Sequence, residues 1–101
     1  MTTTVGSMKD ADRLARAIIE KELAACVQVD AVASSFFKWE GKLCAEPEVR
    51  LTIKTIPMRL AGLEAFFEEA HPYELPQFAV TEMGTSKVYG SWVRANCAGD
   101  C

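Results

Sequence analysis

Histidine occurs once in this chain of 101 residues, at His71, and none of its four cysteines, Cys26, Cys44, Cys97 and Cys101, stands at Cys-x-x-Cys spacing from another. A closed structural zinc site needs four ligands gathered together, so any metal site here is sparse or shared between subunits. No stretch approaches the roughly 18 apolar residues that crossing a bilayer takes, which argues against a membrane. The opening Met1-Thr2-Thr3-Thr4 has neither the basic nor the apolar part of an export signal. Eleven basic residues against 14 acidic ones give a net charge of −3 with no cluster of Lys and Arg, which argues against nucleic acid as a partner. A cytoplasmic protein with reduced, free thiols is therefore expected.

Catalytic equipment is scarce as well. There is no Gly-x-Ser-x-Gly elbow and no glycine-rich phosphate cradle. Glu68 and Glu69 are neighbours on an expected helix and point apart. An enzyme is not expected.

What is present is apolar material, 50% of the chain, enough for one packed core. Ser7 followed by Asp10 reads as a capping-box-like helix start. Ala11, Leu14, Ala15, Ile18 and Ile19 then recur at helical spacing as far as Leu23 or Ala24. From Cys26 the pattern turns to strand, through Val27, Val29 and Ala31 to Phe36, Phe37 and Trp39, with a bend around Ala33 to Ser35. Glu40-Gly41 supplies a hairpin turn. Lys42 to Pro47 reads as irregular or as an edge, and Glu48 to Thr55 as the returning strand.

Pro57 suits the start of a second helix that carries Leu60, Leu63, Phe66, Phe67 and Ala70 and ends at His71-Pro72. Gln77 to Met83 is apolar enough for a further strand. Ser86 caps a short final helix with Val88, Tyr89, Trp92 and Val93 at helical spacing. If Met1 to Val5 adds an opening strand, the order becomes the split βαβ plan of an α+β, ferredoxin-like sandwich with an antiparallel sheet and a short C-terminal helix. Residues 1–96 form the single domain expected here, and 97–101 a flexible tail.

Taken together, Leu23-Ala24-Ala25-Cys26-Val27, Ser35 with Trp39-Glu40-Gly41-Lys42, Glu48 with Ile53-Lys54-Thr55, and His71-Pro72-Tyr73-Glu74-Leu75-Pro76, followed by Tyr89 and Trp92, resemble the CutA-type divalent-cation tolerance family. The similarity runs from about Val5 to Asn96. The resemblance implies a ferredoxin-like fold assembled as a homotrimer, in which the long hairpin pairs with neighbouring subunits. It also implies a link to tolerance of copper and other divalent metal ions, without a firmly established reaction. The family's trimer is similar in shape to nitrogen-regulatory signalling proteins that bind small ligands between subunits. The sequence departs from the family at Phe37, where Tyr is usual, and in a short opening strand. Cys44, Cys97 and Cys101 lie outside the matched motifs.

Two residues are candidate metal ligands. Cys26 offers a soft thiolate suited to Cu(I), or is a small buried hydrophobe. His71 offers an imidazole nitrogen, or simply closes a helix. Six residues are candidates for a ligand cleft that would take a small anion: Trp39, Glu48, Lys54, Tyr73, Glu74 and Trp92. Trp39 reads equally as an interface anchor, the favoured reading. Glu48 and Lys54 share a strand face and could form an ion pair instead. Tyr73 and Glu74 lie in a connection stiffened by Pro72 and Pro76, which positions a ligand group or only shapes a turn. Cys97 and Cys101 could chelate a metal or form a disulfide, with a frayed tail favoured. No cofactor is expected to be needed for folding.

Overall fold

The computed structural model describes residues 1–97. The elements follow as β1 (Thr2–Val5), α1 (Met8–Glu20), β2 (Cys26–Trp39), β3 (Lys42–Lys54), a single 3-10 turn (Pro57–Arg59), α2 (Leu60–Ala70) and α3 (Lys87–Cys97). The three strands form one antiparallel sheet in the order β1-β3-β2. The α+β class and the antiparallel sheet agree with the sequence reading.

Alternation along β3 decides where the core lies. Val49, Leu51 and Ile53 are buried with Thr3 and Val5 of β1, while Arg50 is exposed on the other face. Onto the buried face α1 lays Ala11, Leu14 and Ile18, and α2 adds Leu63 and Phe67. Ser7 caps α1 as expected, its Oγ accepting from the Asp10 amide at 3.1 Å.

The same helix ends sooner than its apolar spacing suggests. Glu22 turns to φ 58°, its N–H donates to the Ile19 carbonyl at 3.0 Å, and the Leu23 N–H donates to Ile18 at 3.0 Å. That pair of bonds is a Schellman cap, and it leaves Leu23 and Ala24 buried outside the helix.

In the hairpin, Glu40 at φ 53° and Gly41 at φ 80° make the two-residue turn, a conformation that suits the twist of the flanking strands. The stretch Lys42 to Pro47, expected to be irregular or an edge, is instead continuous strand, registered from Trp39↔Lys42 to Ser35↔Glu46. The irregularity is local. Val32 pairs with Glu48 and Ser35 with Glu46, so Ala33 and Ser34 stand opposite Pro47 alone. A bulge at that point accommodates a residue that has no N–H for the ladder.

The expected strand Gln77 to Met83 is a second correction. It contributes one bridge, Thr2↔Ala79, with Thr2 N–H donating to Ala79 at 2.8 Å and Ala79 N–H donating back at 3.2 Å. Beyond that bridge the segment leaves the ladder and adds no strand to the sheet. Cys97, assigned to the tail, is the last residue of α3 and fully buried. Its sulfur lies 3.8 Å from Thr55 Oγ1. Cys101 lies outside the described residues.

Leu51 is fully buried at the centre of the middle strand. Leu51→Ala should therefore destabilise the fold by about 2–5 kcal/mol, read as a lower urea midpoint with an unchanged slope.

Candidate functional site

His71 follows the last turn of α2, where its N–H donates to the Phe67 carbonyl at 3.0 Å and its extended backbone stops the helix before Pro72. The ring is buried between Phe67 and Tyr73, with centroids 5.2 Å and 5.3 Å away. Both nitrogens are engaged. Nδ1 accepts the Tyr73 backbone N–H at 3.1 Å, and Nε2 lies 3.0 Å from Thr3 Oγ1. Because Nδ1 must keep its lone pair, the imidazole is neutral with its proton on Nε2, donating to Thr3. Burial lowers its pKa below the ordinary imidazole value, and Arg13 adds to this, while the Thr4 backbone and Asp10 oppose it.

Tyr73 extends the chain of contacts. Its hydroxyl donates to Glu48 Oε2 at 2.7 Å. Burial, followed by the bond to Glu48 and the charges of Glu48, Glu46 and Asp10, raises the phenol's pKa well above its ordinary value. The hydroxyl passes the end of β1 beside Gly6, where a Cβ would lie 3.6 Å from it. Thr3, His71, Tyr73 and Glu48 thus form one continuous polar network joining β1, the end of α2 and β3.

A second group lies at the other end of β3. Lys54 Nζ sits 5.6 Å from the centroid of the Tyr89 ring, and Tyr89 stacks on Trp92 at 5.7 Å with planes 26° apart. Lys54, Tyr89 and Arg94 border a cavity of about 300 Å³ whose apolar wall includes Ile53, Leu60 and Val93.

The candidate residues therefore separate. Glu48 and Lys54 do share a face, but at about 3.4 Å per residue they lie roughly 20 Å apart along β3, and each has its own aromatic partner. Trp39 stands at the hairpin end opposite Lys42, and Glu74 is exposed in the connection after Pro72.

Cys26, half-buried at the head of β2, pairs with Lys54, one step out of phase with the core pair Val27↔Ile53. It thus faces away from α1 and α2, whereas His71 contacts Thr3 on the face those helices cover. The sheet separates the two candidate metal ligands. Among the described residues no group of three His, Cys, Asp or Glu side chains could hold a metal ion. His71 as placed has no lone pair free for one.

Sequence reasoning missed Thr3, which looks like an ordinary strand threonine, and the cross-strand pair Asp30 and Arg50, joined at 2.6 Å and 3.1 Å. The alternation of β2 against β3 could have placed the latter, since opposed partners share a face.

A family model described as CutA1 divalent ion tolerance protein matches residues 1–96. Protein CutA of Homo sapiens is 37% identical over 93 residues, 90% of this chain and 51% of the human protein. The chain thus spans about half the length of that relative. The divalent-cation tolerance protein CutA of Pectobacterium atrosepticum is 36% identical over 87 residues, 85% of this chain and 79% of that protein. Among solved structures, the PII-like protein CutA from Nostoc sp. PCC 7120 superposes with TM-score 0.87 at 31% identity, covering 95% of this chain and 93% of that one. The periplasmic divalent cation tolerance protein CutA from Archaeoglobus fulgidus gives TM-score 0.89 at 31% identity, covering 95% and 94%.

The Tyr73 hydroxyl is bound to a partly exposed carboxylate that water can resolvate. Tyr73→Phe should therefore cost about 1 kcal/mol in chemical unfolding, whereas Glu74→Ala should stay within about 0.5 kcal/mol.

Proposed function

The chain belongs to the CutA1 divalent ion tolerance family, and on that premise we propose that it acts in divalent-cation tolerance as a non-catalytic homotrimer whose copper or other metal sites are shared between subunits. The observation that carries this reading is the outer half of the hairpin. Beyond the bulge, Phe36 is 72% exposed, Leu43 73% and Trp39 41%, with Phe37 beside them. This contiguous arm extends a subunit measuring 45 × 27 × 22 Å.

Apolar surface of this kind is normally covered by a partner, and β2 at the sheet edge has a free ladder side to offer a neighbour. Three-fold closure is the family's expected solution.

Within such an assembly Cys26 is the metal ligand of choice. It is a free, half-buried thiol on the face away from α1 and α2, and Cu(I) accepts thiolates contributed by separate chains. His71, with both nitrogens engaged, is not used. A cytoplasmic location goes with this reading.

A second reading, a small-anion sensor, is favoured by the cavity beside Lys54, Tyr89 and Arg94. Glu82 on the same lining weakens the field there, which is why it ranks second.

Light scattering at micromolar concentration should return three times the chain mass, and a monomer mass would end the assembly reading. Trp39→Ala should weaken association by about 2 kcal/mol or more, seen as dissociation on dilution with the subunit still folded. Cys26→Ser should remove Cu(I) uptake while His71→Asn retains it, and the protein should stay folded in a chelator. Absence of copper uptake by the unmodified protein would transfer preference to the sensor.

A further inference from the structure

The connection from Pro72 to Ser86 has no helix or strand of its own, yet it runs along the open side of β1. Contacts that hold it there include the Tyr73 N–H on His71, the Tyr73 hydroxyl on Glu48, the Thr4 hydroxyl with Gln77 at 3.3 Å, the Thr2 and Ala79 bridge, and Phe78 edge-on to Phe67 at 5.6 Å. The first has an imidazole nitrogen as its acceptor, which becomes a donor on taking up a proton.

We propose that His71 is an acid-sensitive latch, holding this connection against β1 while the ring is neutral and releasing it when the ring is protonated. Protonation at Nδ1 would set one N–H against another, replacing a 3.1 Å hydrogen bond with a repulsive contact. Tyr73 carries both the backbone N–H that is lost and the phenol that holds Glu48, so its displacement loosens two ties at once. The Thr2 and Ala79 bridge is the next link outward, and its opening exposes the backbone edge of β1 to a pairing strand.

The charged groups facing the ring come from two elements besides its own. Arg13 and Asp10 approach from α1 with opposite effects, and Glu48 on β3 acts through Tyr73. With the folded pKa below the unfolded one, the unfolded or released state binds more protons in the interval between them. The latch is therefore complete above the ordinary imidazole pKa and weakens as pH falls through it towards the lowered value.

His71 is the only histidine, so its ring proton gives a single, unambiguous titration by NMR. Amide exchange of the intact protein, corrected for intrinsic rates, should show Tyr73 and Ala79 losing protection roughly tenfold relative to the strand around Leu51 between about pH 7.5 and about pH 5. The loss should begin near the ordinary imidazole pKa and level off as the ring itself titrates. In His71→Asn, whose side-chain oxygen accepts without titrating, the step should vanish. A step that persists in the variant would assign the effect to Glu48 or Asp10 and overturn the proposal. So would a level protection ratio across the range in which the ring titrates, a result that needs no variant.

Discussion

A mismatch in length governs this molecule. β2 and β3 run for 14 and 13 residues, while β1, which completes the sheet, has four. Two helices can cover only the part of the sheet where all three strands are present, so the core ends at Val5 and Val49. Beyond that point the hairpin is a bare ribbon, and isolated two-stranded ribbons are marginal in water. Its aromatic and aliphatic residues therefore need a second surface. The bulge at Ala33 and Ser34 marks the change from covered sheet to arm, because it increases twist where the packing constraint ceases.

On the other side of β1 the returning chain adds only one bridge, and the connection after α2 is tied down largely by side chains. His71 is the centre of that arrangement: it ends α2, fills the space between Phe67 and Tyr73, and reaches Thr3 on the neighbouring strand. A polar ring at such a site is tolerable only with both nitrogens satisfied. The demand that makes it stable also removes it from metal chemistry.

Much of this was legible in the sequence, for reasons particular to each element. The period of Ala11, Leu14 and Ile18 revealed α1, Glu40-Gly41 revealed the turn, and Pro72 revealed the end of α2. The helix boundary at Glu20 was hidden because its cap uses Glu22 in a left-handed conformation rather than a glycine. Lys42 to Pro47 looked irregular because Pro47 breaks local strand preference, and only the partner strand's bulge absorbs it. Gln77 to Met83 has strand composition, yet it meets β1 at a single bridge, a tertiary placement that local composition does not carry. Of the candidate site, Tyr73 with Glu48 and Lys54 with Trp92 were flagged residue by residue. Which aromatic each charged group meets, Tyr73 for Glu48 and Tyr89 for Lys54, depends on long-range packing, which no local pattern encodes.

The separation of the candidate residues bears on where chemistry can occur. A single chain keeps Cys26 and His71 on opposite faces of its sheet and sets Trp39 at the far tip of an arm. In the proposed assembly, a ring of chains would bring the arm of one onto the sheet edge of another. The same hairpin that leaves the subunit's surface incomplete is then what would bring the groups of separate chains together. Under that proposal assembly and ligand capture would be one event, and any ion or small molecule bridging two chains would stabilise the assembly by its own binding free energy.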